Sequence, residues 1–290
     1  MPLSVALGTF DGLHTAHRAV IDAARIAHSL AGAPCTPAVM AFREHPQAVL
    51  SGKAPCQLLT QSDREALFSE LGVKPLYISF REIASLSPAA FVRDIVAGRW
   101  GAAAVTCGYH FRFGAGAQGN PAMLRDLCNM HGLACTVVPR VTYLGDDISS
   151  SRIRSCIEDG NITAANAMLG RPFGYNLEVV HGEKIGRTIG FPTLNQLFPD
   201  NFCVPRFGVY ASETCIENRW LPSVTNVGRR PSFACDELRS ETHIPGFNGC
   251  LYGKIVGVRL LRYLRAEMLF DGLQALKKQL SADVEQLKVL

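Results

Sequence analysis

The feature that most constrains the fold is a change of period within the first twenty residues. Residues 4–7 are small or apolar and read as a buried strand, whereas from Arg18 the apolar residues recur at helical spacing. Between them lies Leu7-Gly8-Thr9-Phe10-Asp11-Gly12-Leu13-His14-Thr15-Ala16-His17, which must turn the chain from one element into the other. A helix that starts straight after such a turn presents unpaired N–H groups and the positive end of its dipole, a setting that favours an anion. Gly8 and Gly12 let the backbone approach a ligand closely, and His14 and His17, three apart, share one face of the first turn. Two imidazoles over such a turn suit phosphate chemistry. The same turn also occurs in α/β domains without a nucleotide, with the histidines as capping or surface residues.

Strand and helix patterns keep alternating through the first half. Residues 35–42 read as a second strand, and Ser62-Asp63-Arg64-Glu65 has capping-box spacing for a helix that stops at Gly72. Residues 76–80 read as a strand, Ser87-Pro88 starts a helix running to Trp100, and residues 103–107 return as a strand. Asn120-Pro121 opens a further helix that ends at His131-Gly132, before a strand at 134–139. This β-α-β order predicts a doubly wound parallel sheet with ligands at the carboxyl ends of its strands. Two loops fall at those ends, Arg43-Glu44-His45-Pro46 and Gly108-Tyr109-His110-Phe111-Arg112-Phe113-Gly114. By residue type alone His45 fits a structural histidine more often than a site residue, and the Phe111/Phe113 alternation fits core packing more often than flavin stacking. Ile148-Ser149-Ser150-Ser151-Arg152-Ile153-Arg154 places three hydroxyls at a helix start and a bidentate cation on its first turn, suited to capping and to phosphate alike.

From about residue 170 the pattern changes to short Val-, Tyr- and Ile-containing segments punctuated by glycine and proline. That predicts an antiparallel sheet or small barrel, followed by one amphipathic helix over 270–290. The densest chemistry is Gly186-Arg187-x-x-Gly190-Phe191-Pro192-Thr193-x-Asn195: a glycine loop able to wrap phosphates, a cation, and two hard oxygen ligands for Mg²⁺. A plain hairpin turn would use the same glycines and proline. A chain of 290 residues has room for two domains. Its net charge of +4 suits small anions, and no basic run is interleaved with aromatics, so nucleic acid is not an expected partner. Ten scattered cysteines without a C-x-x-C read as thiols in a reducing cytosol rather than zinc ligands. With no basic n-region and no apolar run of membrane-spanning length, the expected location is cytoplasmic.

The first turn resembles the G-x-F-D-G-x-H-x-G-H signature of the bacterial bifunctional riboflavin kinase/FAD synthetases. Residues 148–154 resemble that family's I-S-S-T-x-x-R motif, and residues 186–195 its G-R-x-x-G-F-P-T-A-N motif. Further similarity runs through Phe207-Gly208-Val209-Tyr210, Asn226 to Phe233, Glu241-Thr242-His243, Leu251-Tyr252-Gly253 and Leu264 to Phe270. The resemblance implies a nucleotidyltransferase-like FMN adenylyltransferase domain over 1–169 and an antiparallel β-barrel riboflavin kinase domain with a terminal helix over 170–290. It implies ATP as co-substrate, Mg²⁺ as cofactor, and riboflavin, FMN and FAD as ligands. Carried over by position, Glu241 is the catalytic base for phosphorylation. His14 and His17 serve adenylyl transfer, and Gly8, Phe10, Gly12, Ser150, Ser151 and Arg154 bind ATP and its pyrophosphate. Gly186, Arg187 and Gly190 hold the second nucleotide, Thr193 and Asn195 the metal, and His45, Phe111, Arg265 and Glu267 the flavin. The chain departs from the family pattern at Ala16, Glu44, Tyr109-His110 and Asn120. Those departures leave open a riboflavin kinase with an inactive first domain. A non-catalytic flavin or nucleotide binding module, and a nucleotidyltransferase for another phosphorylated substrate, are the other readings.

Overall fold

The computed structural model describes residues 1–30, 32–182, 185–231 and 236–289. Ser232 and Phe233 of the family-like run, and Leu290 at the end of the expected terminal helix, lie outside the described residues. The chain divides into two compact units, Met1–Ser150 and Ser151–Leu290.

The first unit is built on five strands, β1 (Leu3–Leu7), β2 (Thr36–Phe42), β3 (Lys74–Ile78), β4 (Ala102–Gly108) and β5 (Ala134–Val138). All neighbours are parallel, in the order β3-β2-β1-β4-β5. The helices are α1 (Thr15–Arg25), α2 (Pro46–Ser51), α3 (Gln61–Glu70), α4 (Phe80–Ile83), α5 (Pro88–Ala90) and α6 (Pro121–Met130), with a π-helical stretch at Phe91–Arg99 continuing α5. Alternate residues of the central strand serve two cores. Val5 and Leu7 pack with Met40, Ile78 and Phe91, while Ala6 packs with Val39, Ile21 and Phe68. Burial on both faces explains why these strands read as apolar runs without alternation. The doubly wound architecture is therefore observed, with local corrections. Helix α3 is capped by Thr60, which accepts from the Asp63 N–H at 3.1 Å, two residues before the expected Ser62. Phe80 is helical, because a Ser79/Glu82 capping box ends β3 at Ile78. A short hairpin, β6 (Thr142–Tyr143) with β7 (Asp146–Asp147), completes this unit.

Helix α7 (Ser150–Glu158) leads into the second unit, where α8 (Ile162–Leu169) follows. The strands are β8 (Phe173–Glu178), β9 (Thr193–Leu197), β10 (Gly208–Ile216), β11 (Arg219–Pro231), β12 (Asp236–His243) and β13 (Ile255–Arg265), with the short α9 (Ile185–Thr188) between β8 and β9. They form one antiparallel sheet in the order β8-β13-β10-β11-β12-β9. The sheet curls into a half-barrel whose edges meet where the Val180 N–H donates to the Asn195 carbonyl at 2.8 Å. The Gln196 amide reinforces that seam, donating to the Leu177 and Val256 carbonyls at 2.7 and 2.8 Å. The terminal helix α10 (Leu273–Glu285) starts later than the pattern suggests, after Gly272 at φ +95°, and ends in a 3₁₀ turn. It is anchored by fully buried Asp283, which accepts from the Arg265 guanidinium at 2.7–3.2 Å.

Candidate functional site

In the first unit the strand order reverses between β1 and β4, and an open parallel sheet has its ligand crevice outside the carboxyl ends at such a point. The turn after β1 is locally strained. Phe10, Gly12 and Leu13 all have positive φ, at 51°, 78° and 45°. Burial of the Phe10 and Leu13 side chains holds this conformation in place. A Cβ on Gly12 would lie 2.6 Å from Leu58 Cδ1, and one on Gly8 would lie 3.1 Å from the Phe10 ring. Ser150 ties the far end of the unit to this turn, its hydroxyl donating to the Asp11 carbonyl at 2.8 Å.

His14 is the N-cap of α1. Its Nδ1 accepts from the His17 N–H at 3.3 Å, which leaves the proton of a neutral ring on Nε2. The two imidazoles stack at 3.6 Å with their planes 16° apart, and Phe10 meets His17 edge-on at 5.3 Å. Burial, then the neighbouring His14 and His110, hold the His17 imidazole well below its ordinary range. His17 is therefore neutral at neutral pH, and its buried Nδ1 has no hydrogen-bond partner among the described residues. His110, which follows β4, is a residue the sequence reading did not select. Nothing in the chain pattern reveals it, because its nearness to His17 arises from the pairing of β1 with β4.

The remaining residues expected in this unit are placed as follows. His45 caps α2, accepting from the Gln47 N–H at 3.2 Å. Phe111 stacks on buried Phe113 at 5.6 Å and packs against the core. Ser151 and Arg154 lie on α7 beyond Ser150, in the second unit.

In the second unit the site is made by strand register. Asn195 on β9 pairs with Glu241 on β12, and Glu241 pairs with Asn226 on β11, so the three side chains share one face of the sheet. Thr193, opposite His243, stands on the same face two residues along β9. Asn226 extends the row, its amide donating to Glu267 Oε1 at 3.1 Å. A Cβ on Gly228 would come within 2.3 Å of that same oxygen. Arg265, two residues before Glu267, is bound to Asp283 and so fixes the chain that carries Glu267.

The glycine loop folds onto β9. The Phe191 N–H donates to the Gly186 carbonyl at 2.8 Å, and a Cβ on Gly186 would lie 2.3 Å from the Phe191 carbonyl oxygen, so only glycine fits. Gly190 turns the loop at φ +86°. His243 Nδ1 lies 2.9 Å from the Pro192 carbonyl. Arg187 and Thr193 line a cavity of about 540 Å³, together with Thr242 and Tyr252. The Tyr252 ring stacks on His181 at 4.0 Å. Asn226 and Tyr252 belong to family-like runs, but no spacing in the sequence marks either as part of a site.

A family model described as FAD synthetase matches residues 1–152, and one described as riboflavin kinase matches residues 169–290. A Bacillus subtilis protein named bifunctional riboflavin kinase/FMN adenylyltransferase is 34% identical, over 97% of this chain and 90% of the relative. The chain belongs to this bifunctional family. The Escherichia coli K12 member is 32% identical over 96% of this chain and 90% of its own length. A solved structure titled macrolide-efflux protein from Streptococcus pneumoniae superposes with a TM-score of 0.88 at 32% identity, covering 99% of this chain and 94% of that one. Among the described residues no helix is long and apolar enough to cross a membrane.

Three of the residues that depart from the bifunctional family's pattern, Glu44, Asn120 and Tyr109, have local structural roles. The Glu44 carboxylate accepts from the Ser79 hydroxyl and, at 3.4 Å, from the Arg81 N–H; the Ser79 bond first, then the backbone N–H groups of Arg81, Phe80 and Glu44 itself, keep its carboxyl below the usual range. Asn120 caps α6, accepting from the Met123 N–H at 3.0 Å. Tyr109 and Arg140 both bind Asp147, which clamps the β6–β7 hairpin to the end of β4.

Proposed function

We propose that the chain phosphorylates riboflavin to FMN with ATP in its second domain and adenylylates FMN to FAD with a second ATP in its first. The domains are taken as 1–169 and 170–290. The observation that carries this reading is the row Asn195–Glu241–Asn226–Glu267 beside a glycine loop and a cavity that holds Arg187 and Thr193.

For phosphorylation, Glu241 takes the proton from the ribityl 5′-hydroxyl as that oxygen attacks the γ-phosphorus of ATP. Gly186, Arg187 and Gly190 hold the nucleotide phosphates. The Thr193 hydroxyl and the Asn195 amide oxygen, on one face of β9, are hard donors that fit Mg²⁺, which when bound neutralises phosphate charge. Glu267 and Arg265 border the flavin, with Asn226 positioned between Glu267 and the base.

For adenylylation no protein nucleophile is required, because the FMN phosphate attacks the α-phosphorus of ATP and pyrophosphate leaves. Gly8, Phe10 and Gly12 shape the turn that admits the phosphates. The His14 Nε2–H donates to the α-phosphoryl oxygens, and His17, neutral in the free protein, gains a proton or a donor bond as negative charge arrives beside it. Ser150, Ser151 and Arg154 stabilise the leaving pyrophosphate, and His45 and Phe111 border the flavin.

Chromatography of flavins after incubation with riboflavin, ATP and Mg²⁺, then with FMN in place of riboflavin, tests both halves. FAD in both reactions is the expected result. FMN without FAD in either would reduce the chain to a kinase, and binding without turnover would make it a flavin or nucleotide binding module.

A further inference from the structure

Inside the half-barrel five buried hydroxyls form one chain across three strands. Thr214 Oγ1 donates to Ser223 Oγ at 2.9 Å, and Ser223 to Ser212, Ser212 to Thr225 and Thr225 to Thr242 are each linked at 2.8 Å. All five residues are at most 1% exposed. Each hydroxyl has one proton, and the Thr214 bond fixes the direction of the first link. Ser223, already an acceptor there, donates to Ser212; Ser212 has only Thr225 left to donate to; Thr225 then donates to Thr242. Reversing any of the later links would leave a hydroxyl proton at Ser223, Ser212 or Thr225 with no acceptor among the described residues in a dry interior, which is costly. The chain therefore delivers its one free O–H at Thr242. Links that share a direction polarise one another, so this terminal donor is strengthened.

Thr242 lines the 540 Å³ cavity together with Leu194, Ile244, Arg187 and Thr193. Leu194, its cross-strand partner, is one residue from Thr193. We infer that Thr242 is a nucleotide-binding residue of the second unit, giving a hydrogen bond to an acceptor atom of ATP, with the five-hydroxyl chain as the device that orients it. This deepens the phosphotransfer reading and rests on it for the identity of the ligand. A ligand group that donates at this point would leave the Thr242 proton without an acceptor, so the site selects an acceptor.

The test is titration of ATP into the full chain without riboflavin, which reads binding whether or not the chain turns over. The KM for ATP in riboflavin phosphorylation then assigns the change to this unit. Thr242→Val, which keeps the shape and removes the donor, is expected to weaken ATP about tenfold, Thr242→Ser to stay within about twofold of wild type, and Ser212→Ala, remote from the cavity, to weaken it about threefold. Ser212→Ala also carries the test if Thr242→Val fails to fold. Inorganic tripolyphosphate locates the acceptor: a matching loss for tripolyphosphate means a phosphate oxygen, and a loss for ATP alone means a base or ribose atom. Folded Thr242→Val with wild-type ATP affinity, or Thr242→Ser as impaired as Thr242→Val, would overturn the proposal. Absence of phosphorylation with these affinity changes intact would instead sink the kinase reading alone.

Discussion

The two units of this chain make their candidate sites in opposite ways. In the first, the chemistry sits on a turn: His14 and His17 are contiguous with the strand that precedes them, and their geometry follows from a cap bond and three positive φ values within four residues. In the second, the chemistry lies along strands: Asn195, Glu241 and Asn226 are 46 and 15 residues apart in sequence and meet only through register. A turn site is fixed locally and carries its own strain, whereas a register site is fixed by the whole sheet. One substitution should therefore distort the first, while the second should yield to loss of a single functional group or of the contacts that hold the sheet's cover.

The sharpest way to separate the two is Glu241→Ala. Riboflavin phosphorylation should fall by about 10²–10⁴-fold, as for loss of a general base, while FAD formation from FMN and the melting temperature stay near wild type. A matched loss of both activities would mean that the units do not work independently. Next, Arg265→Met should leave Asp283 buried without its cation, destabilising the second unit by about 3–5 kcal/mol in denaturant melts. Should stability hold, α10 is anchored by apolar packing instead. His14→Ala should slow FAD formation from FMN by about 10²–10³-fold and spare phosphorylation, and loss of the helix cap should add about 1 kcal/mol of destabilisation. Equal FAD rates would remove His14 from the site. Gly12→Ala forces a side chain into a left-handed position against Leu58, and should cost the first unit about 1–3 kcal/mol.

The smallest effect is a pH dependence confined to the first unit. Burial depresses the His17 pKa in the folded state, while the unfolded chain takes up a proton below its ordinary value of 6.5. The unfolded state then binds more protons, so stability is full above that pH and declines as pH falls through and below it. Melting temperatures from pH 8 to about pH 5 should show this decline, and His17→Phe should flatten it. A wild-type slope that survives in His17→Phe would assign the acid sensitivity elsewhere.

How much was legible beforehand divides along the same line. The strand–turn–helix of residues 4–25, the later β-α-β alternation and the antiparallel second half were all readable, because apolar periodicity and cap residues are local signals. Cap positions still slipped where two hydroxyl residues compete, as Thr60 and Ser62 do before α3. The nearness of His110 to His17, the pairing of Asn226 with Glu267 and the Tyr109–Asp147–Arg140 clamp had no local signal at all. The Tyr109–Asp147 and Asn226–Glu267 bonds link residues 38 and 41 apart, and His110 meets His17 through neighbouring strands of a sheet.

The sequence by itself therefore determined the two architectures, the turn that brings His14 to His17, and, through motif resemblance, the family. Only the tertiary structure decided that Glu241 stands between Asn195 and Asn226, and that five scattered hydroxyls form one directed chain ending at Thr242. The physical reason is that periodicity reports which face of an element is buried, while strand order and register decide which buried or facing groups meet.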